Sequence, residues 1–208
     1  MIKERGKQAR LAGRMLGGAR HVCAFFHSKA EEYDVLASFI MEGFSRDDKA
    51  VHVIDPIRKF QHCRCLEEMG LELPLALHSG RLDVMGWDEA HLRHGRFDQK
   101  SMLAAVEDTF RRNAAHGFGM TRYIADMEWS QAGIPGARDL IEFEARLNYV
   151  IPAHRDAVIC TYDLARFNAA AVMDILRTHP MTILGGILQE NPFYVTPEEF
   201  LDEPAPRT

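Results

Sequence analysis

The sequence predicts an α/β three-layer sandwich with a mainly parallel central sheet, and three observations predict it. Short apolar or β-branched runs recur at 22–26, 50–54, 82–86, 121–127, 157–162 and 181–185. Helical periodicity fills most of the intervals, and strands alternating with helices need crossover connections that cover both faces of a parallel sheet. The stretch from His21 to Pro56 shows the unit in full: an aromatic strand HVCAFF, an amphipathic helix, and a second strand AVHVIDP stopped by Asp-Pro. Tyr33, Leu36, Phe39, Ile40 and Phe44 recur at helical spacing, with Glu31 and Glu32 in the first turn where they suit the helix dipole.

Ahead of this unit, residues 1–20 are basic and lack a sizeable apolar face, so they read as a mobile or weakly helical arm. After it, Ile57 to Met69 reads as a helix closed by Gly70, and Leu71 to Pro74 lead towards the next edge. His62, Cys63 and Cys65 lie in that helix. C-x-C spacing there turns the two thiols about 200° apart, which disfavours a shared metal. LDVMGW is a strand, and His91 and His94 beyond it read as a solvated pair without a third ligand. Phe97 to Ala115 is the longest helical pattern, with Met102, Leu103, Val106 and Phe110 apolar, and Gly117 stops it. TRYIADMEW follows as a strand ending in acids and an indole. Residues 134–152 make a helix crowded with Glu142, Glu144, Arg146 and Asn148, of which Glu142 and Arg146 form an i, i+4 surface pair. DAVICTYD is a core strand, Phe167 to Arg177 a helix, and THPMTILGG brings His179 into another strand. NPFYV reads as a final edge strand and TPEEF as a helical turn.

At 208 residues the chain is long enough for one domain with its own core. A formal charge of −5 gives no electrostatic reason for nucleic acid to bind directly. Cys23, Cys63, Cys65 and Cys160 read as reduced thiols. With no secretory signal and no apolar run of about 18 residues, the expectation is a cytoplasmic protein without a membrane span. No metal or cofactor motif emerges.

In open α/β sheets ligands bind beyond the carboxyl ends of the strands. That rule selects Phe26, His27, Ser28, Asp55, Asp126, Glu128, Trp129, Tyr162 and Asp163, a mixture of aromatics, acids and hydroxyls suited to a small, weakly polar organic molecule. The plainer reading is that these ends carry turn-forming polar residues. A P-loop protein would place GxxxxGK[ST] after the first strand. Here the loop FHSKAEEYD has no glycine and presents Glu31 and Glu32.

HVCAFFHSKAEEYDVLASFIMEGF, RYIADMEW, EFEARLN, VICTYD, RTHP and NPFYVTPEEFL, in this order and spacing, resemble the MEDS domain, a sensory module of methanogens, methylotrophs and DcmR-like regulators. The resemblance runs from about His21 to Leu201, leaving residues 1–20 as an arm and 202–208 as a tail. It implies a RecA/KaiC-like fold without a Walker A motif. It also implies a prokaryotic signalling role in which a simple hydrocarbon derivative is sensed. Residue by residue, it points to His21, Glu31, Arg122, Asp126, Trp129, Glu144, Arg146, Asn148, Tyr162, Asp163, His179 and Asn191. Ala125, Asp126 and Met127 stand where family members commonly have Gly-Glu-Met, and the shorter carboxylate would alter pocket size or ligand choice. With no helix-turn-helix ahead of His21 and no kinase after Leu201, the expected output is through a partner protein: a kinase, an anti-sigma-type protein or a DNA-binding regulator. A homodimer paired through NPFYV is a further expectation.

Three alternatives stand beside the sensor. One is an enzyme using His179 with Asp163 or Asp126 as a general acid–base pair. Another is a nucleotide binder that does not hydrolyse, disfavoured by the carboxylates in the loop. The last is an adaptor whose pocket is vestigial.

Overall fold

The computed structural model describes residues 9–203, apart from the side chain of Arg93. The first eight residues of the basic arm and residues 204–208 of the tail lie outside the described residues. In chain order the strands and helices are β1 (Arg10–Leu11), β2 (Arg14–Met15), β3 (His21–Phe26), α1 (Lys29–Ser45), β4 (Lys49–Ile54), α2 (Lys59–Glu68), α3 (Leu73–His78), β5 (Leu82–Gly86), α4 (Gln99–Ala115), β6 (Thr121–Asp126), α5 (Leu140–Val150), β7 (Ala157–Asp163), α6 (Ala169–Thr178), β8 (Met181–Leu184), β9 (Ile187–Glu190) and α7 (Pro197–Asp202).

Seven strands form one sheet in the order β5-β4-β6-β7-β3-β8-β9, parallel throughout except for the antiparallel β8–β9 pair. The opening unit therefore does not make neighbouring strands: β6 and β7 lie between β3 and β4. Strand alternation sorts the core into two layers. Cys23, Phe25, Val53, Tyr123, Val158 and Cys160 face α4, α5 and α6. Val22, Ala24, Phe26, Ile124, Ile159 and Ile183 face α1, α2 and α3.

Four features differ from the sequence expectation. Residues 9–16 are not a loose or helical arm, because β1 and β2 form a short hairpin and Ala9, Leu11 and Leu16 are buried against α1. Residues 73–78 are helical, with Pro74 in the first turn, where a missing N–H costs nothing. The last strand of the sheet is β9, joined to β8 by Gly185-Gly186, both at positive φ as a tight hairpin turn demands. NPFYV is a turn and loop after β9, so it offers no edge strand for pairing a second subunit. Among the described residues no helix is long and apolar enough to cross a membrane.

Polar groups pin α1 to the sheet. At its N-terminus Ser28 caps the helix by accepting from the Glu31 amide, while the Glu31 carboxylate accepts from the His27 amide. Under the α1–α2 layer, His52 Nδ1 lies 2.9 Å from His62 Nε2, and His62 Nδ1 lies 2.8 Å from the Tyr33 hydroxyl. Burial lowers the His62 pKa to about 4 and holds His52 well below its ordinary value. The unfolded chain takes up protons on these rings near pH 6.5, whereas in the folded chain His62 does not until about pH 4 and His52 is likewise held neutral by burial. Stability is thus fully present above about pH 6.5 and is lost as pH falls, with His62 alone contributing about 3 kcal/mol across that window. Urea midpoints measured from pH 7 to pH 4 are expected to fall steeply, and less steeply in His62→Gln. Equal slopes would remove His62 from the account.

Candidate functional site

Two arrangements on the α4–α6 side of the sheet stand out, and both follow from the periodicity of their elements. His21 opens β3, and Cys160 and Tyr162 lie two residues apart on the neighbouring β7, so all three side chains project towards α5. Glu144 and Asn148 are four residues apart on α5 and share the face turned to the sheet. His179 follows α6 and leads into β8 beside β3.

The result is a buried polar cluster centred on Glu144, which has no solvent-accessible surface. Its Oε2 lies 3.1 Å from His21 Nε2, 3.4 Å from His179 Nε2 and 3.6 Å from Cys160 Sγ. Its Oε1 accepts from the Tyr162 hydroxyl at 3.0 Å. Asn148 donates through its amide nitrogen to the carbonyls of Glu144, Ala145 and Thr178, which leaves its oxygen to face His21 Nδ1 at 3.1 Å. His179 Nδ1 lies 2.8 Å from the Ile175 carbonyl, and Asn191 donates to the backbone carbonyl of His179. Burial, then the neighbouring His179 ring, lowers His21 to about 4. Burial alone would raise the Glu144 carboxyl, but the two imidazoles hold it well below its ordinary value. Burial also pushes the Cys160 thiol and the Tyr162 hydroxyl well up.

The second arrangement is a cavity of about 440 Å³ beside α4, lined by Ala90, His91, Arg96, Ser101, Met102 and Ala105. A smaller space of about 100 Å³ continues along α4 past Ala105 and Met102 to Tyr123. A small void of about 10 Å³ is lined by residues that include His91, Met102, Val106, Phe143 and Cys160. His91 is buried with its ring 5.4 Å from Trp129, and its Nδ1 has no hydrogen-bond partner. Burial lowers its pKa to about 4, so it faces the cavity as a neutral imidazole. His94 is exposed, in the left-handed region, and lines the same cavity together with Asp98.

The structure thus gathers His21, Glu144, Asn148, Tyr162, His179 and Asn191, while other expected residues lie elsewhere. The strand ends hold capping groups: Ser28, His27 and Glu31 at α1, Asp55 accepting from the Ile57 amide, and Asp163 accepting from the Ala165 amide. Phe26 is buried in the α1 layer. Asp126 lies 2.9 Å from Lys29 Nζ, as do Glu32 and Glu128. Burial raises Asp126 and Glu32. Trp129 packs 4.7 Å from Phe97 behind the cavity. Arg122 is at the opposite end of β6, bound to Asp48, Glu42 and the Phe39 carbonyl. Arg146 makes the half-exposed pair with Glu142. His179 meets Glu144, not Asp163 or Asp126, so the acid–base pair drawn from the sequence does not form. Sequence reasoning missed Cys160, His91 and Lys29 as members of these groups. The i, i+2 relation of Cys160 to Tyr162 was the available signal for the first.

A model of the MEthanogen/methylotroph, DcmR Sensory domain (MEDS) matches residues 20–180. The chain is similar to the transcriptional repressor DcmR of Methylorubrum extorquens, with 22% identity over 177 residues, covering 84% of this chain and 63% of that protein. It therefore spans a little under two thirds of that relative's length. A KaiC-like protein from the hyperthermophilic archaeon Pyrococcus horikoshii has the same fold, with a TM-score of 0.55 at 13% identity, covering 83% of this chain and 73% of that one. The flagellar accessory protein FlaH from Methanocaldococcus jannaschii gives a TM-score of 0.48 at 14% identity over 85% of this chain and 77% of its own. With a family match over most of its length and a RecA/KaiC-like sheet beneath it, the chain belongs to the MEDS family of sensory domains.

Proposed function

We propose that this domain senses a small, weakly polar organic molecule, of the size of a simple hydrocarbon derivative, in the cavity beside α4. It passes the resulting shape change to a regulatory partner. The observation that carries the reading is His91, a buried neutral imidazole that lines a cavity of about 440 Å³ and whose Nδ1 has no hydrogen-bond partner. That volume falls in the range of small-molecule sites, which combine an apolar lining with a few placed polar groups. An orphaned buried nitrogen costs about 1–3 kcal/mol, and a ligand hydroxyl or carbonyl-bound water would recover it. Met102 touches the outer cavity and both inner spaces, so occupancy would shift α4 against the sheet. A ligand moves such an equilibrium only by its differential affinity for the two positions.

The likeness to a transcriptional repressor supports an output on transcription, exerted through a kinase, an anti-sigma-type protein or a DNA-binding partner. A non-catalytic role is supported by the sealing of the His179–Glu144 contact from solvent. Nucleotide is disfavoured where a phosphate loop would stand, because Lys29 is already engaged by three carboxylates.

The test is a calorimetric titration with short alcohols, ketones and halogenated methanes, following Trp129 fluorescence in parallel. Binding is expected to one or more of these, to weaken about tenfold in His91→Ala, a loss of about 1.4 kcal/mol, and to vanish in Ala105→Phe, which fills the cavity. Ligand binding unaffected by both substitutions would move the site elsewhere.

A further inference from the structure

The cluster around Glu144 has a feature that hydrogen bonding alone does not satisfy. The Ile175 carbonyl can only accept, and the Thr178 hydroxyl donates to that same carbonyl, so the proton between His179 and Ile175 belongs to His179 Nδ1. Asn148 spends its amide protons on carbonyls, so the proton between it and His21 belongs to His21 Nδ1. A neutral imidazole has one N–H. With one proton on each ring, both Nε2 atoms turn lone pairs towards Glu144 Oε2, which also carries only lone pairs. His179 Nε2 is fully buried and has no hydrogen-bond partner. Lone pairs converging on one point in a dry core are relieved by a proton on one ring or by a metal ion, and the spacing of the donors favours the metal.

The four donor atoms have the spacing of a coordination sphere. His21 Nε2, Glu144 Oε2, Cys160 Sγ and His179 Nε2 all lie within 4.8 Å of one another. The recorded separations are 3.1, 3.4, 3.6 and 3.8 Å. A tetrahedron with metal–ligand bonds of about 2.0–2.3 Å has edges of roughly 3.3–3.8 Å. The supporting groups also match a metal site: each imidazole is oriented through its Nδ1 by a backbone carbonyl or an amide, and the second carboxylate oxygen is held by Tyr162.

We propose that His21, Glu144, Cys160 and His179 form a buried binding site for one divalent transition-metal ion, zinc by the character of the ligands. A set of two imidazoles, one carboxylate and one thiolate suits a tetrahedral, borderline-soft cation. Charge balances as well: on binding, the Cys160 thiol releases its proton to solvent, and the dipositive ion then meets one carboxylate and one thiolate. The assembly is neutral, which is what an apolar interior tolerates. All four positions are filled by protein atoms, so the ion is structural and enters as the chain folds. It ties α5 and the α6–β8 junction to β3 and β7. The inference does not depend on the cavity beside α4, and its failure would leave the ligand proposal intact.

The test uses the full chain, produced without a polyhistidine tag in media supplemented with Zn²⁺ or with Co²⁺. Elemental analysis and native mass spectrometry should find stoichiometric metal. The cobalt form should show a thiolate-to-cobalt charge-transfer band and the strong visible bands of a tetrahedral site. Cys160→Ser should abolish the charge-transfer band, whereas Cys63→Ser/Cys65→Ser should retain it. X-ray absorption at the zinc edge of the unmodified chain reads the same point without any variant, and should give one sulfur with nitrogen and oxygen neighbours. Folded, metal-free protein from both media would overturn the proposal. So would a charge-transfer band that survives in Cys160→Ser, or a zinc shell with no sulfur or several.

Discussion

Glu144→Ala is expected to destabilise the domain by about 3–5 kcal/mol, the usual cost of removing one partner from a buried charged group. Tyr162 at 3.0 Å and Cys160 at 3.6 Å lose their common acceptor at once, and the two imidazoles lose the carboxylate they converge on at 3.1 and 3.4 Å. Glu144 and both histidines are sealed from solvent, so the carboxylate is not replaced by an open hydration shell. Each orphaned group would carry a desolvation cost of its own. Glu144→Gln keeps the shape and one acceptor oxygen for Tyr162, so it should cost less. Urea unfolding followed by circular dichroism measures both. A loss in Glu144→Ala below about 1 kcal/mol, the net worth of one ordinary hydrogen bond, would mean that the cluster does not anchor α5.

Arg122→Ala should cost about as much, roughly 3–5 kcal/mol, for a different reason. The guanidinium is almost fully buried and contacts Asp48 at 2.8 Å, Glu42 at 3.1 Å and the Phe39 carbonyl, while stacking 4.4 Å over the Phe39 ring. Truncation strands the Asp48 carboxylate, whose pKa burial already raises. Arg122→Lys should recover little, because an ammonium cannot serve these acceptors in the planar fork that guanidinium provides. Gly43→Ala should act in the same direction. A methyl at that position would sit 2.8 Å from Arg122 Cδ, so the absent side chain of Gly43 is what admits the arginine against α1. Thermal melts of the three variants rank these effects, and a wild-type melt for Arg122→Ala would refute the assignment.

The sheet was legible because buried parallel strands are short apolar runs, and each of β3 to β8 coincides with one of them to within a residue or so. The hairpin at residues 10–15 was not, since two-residue strands carry no periodicity and Leu11 and Leu16 acquire meaning only against α1. The helix at 73–78 hid behind Pro74, a breaker in a helix interior but an ordinary first-turn residue. For the site, the rule that favours strand ends pointed to caps. The polar groups collect instead beneath α5, where Glu144 sits amid an apolar face and is invisible to a search for exposed chemistry. His91 and His94 share a spacing but not a helix, so their pairing had no backbone to support it. His21, Glu144 and His179 come from family resemblance, while Tyr162 is picked out both by the strand-end rule and by the resemblance. Only the register of β3 on β7 shows why they meet.

Lys29 and Arg122 have a mechanical consequence when taken together. Lys29 joins the N-terminal turn of α1 to Asp126 at one end of β6, and Arg122, at the other end of the same strand, is joined to Glu42 and the Phe39 carbonyl in the C-terminal half of α1. The helix is a beam clamped at both ends. Sliding or rolling it would separate charges that are mostly buried, so this side of the sheet is the more firmly tied half of the domain. The opposite half contains the cavities along α4. Compliance would then be one-sided, and under the proposed function displacement by a guest would travel outward through α4, with α1 as the fixed frame against which that travel is read.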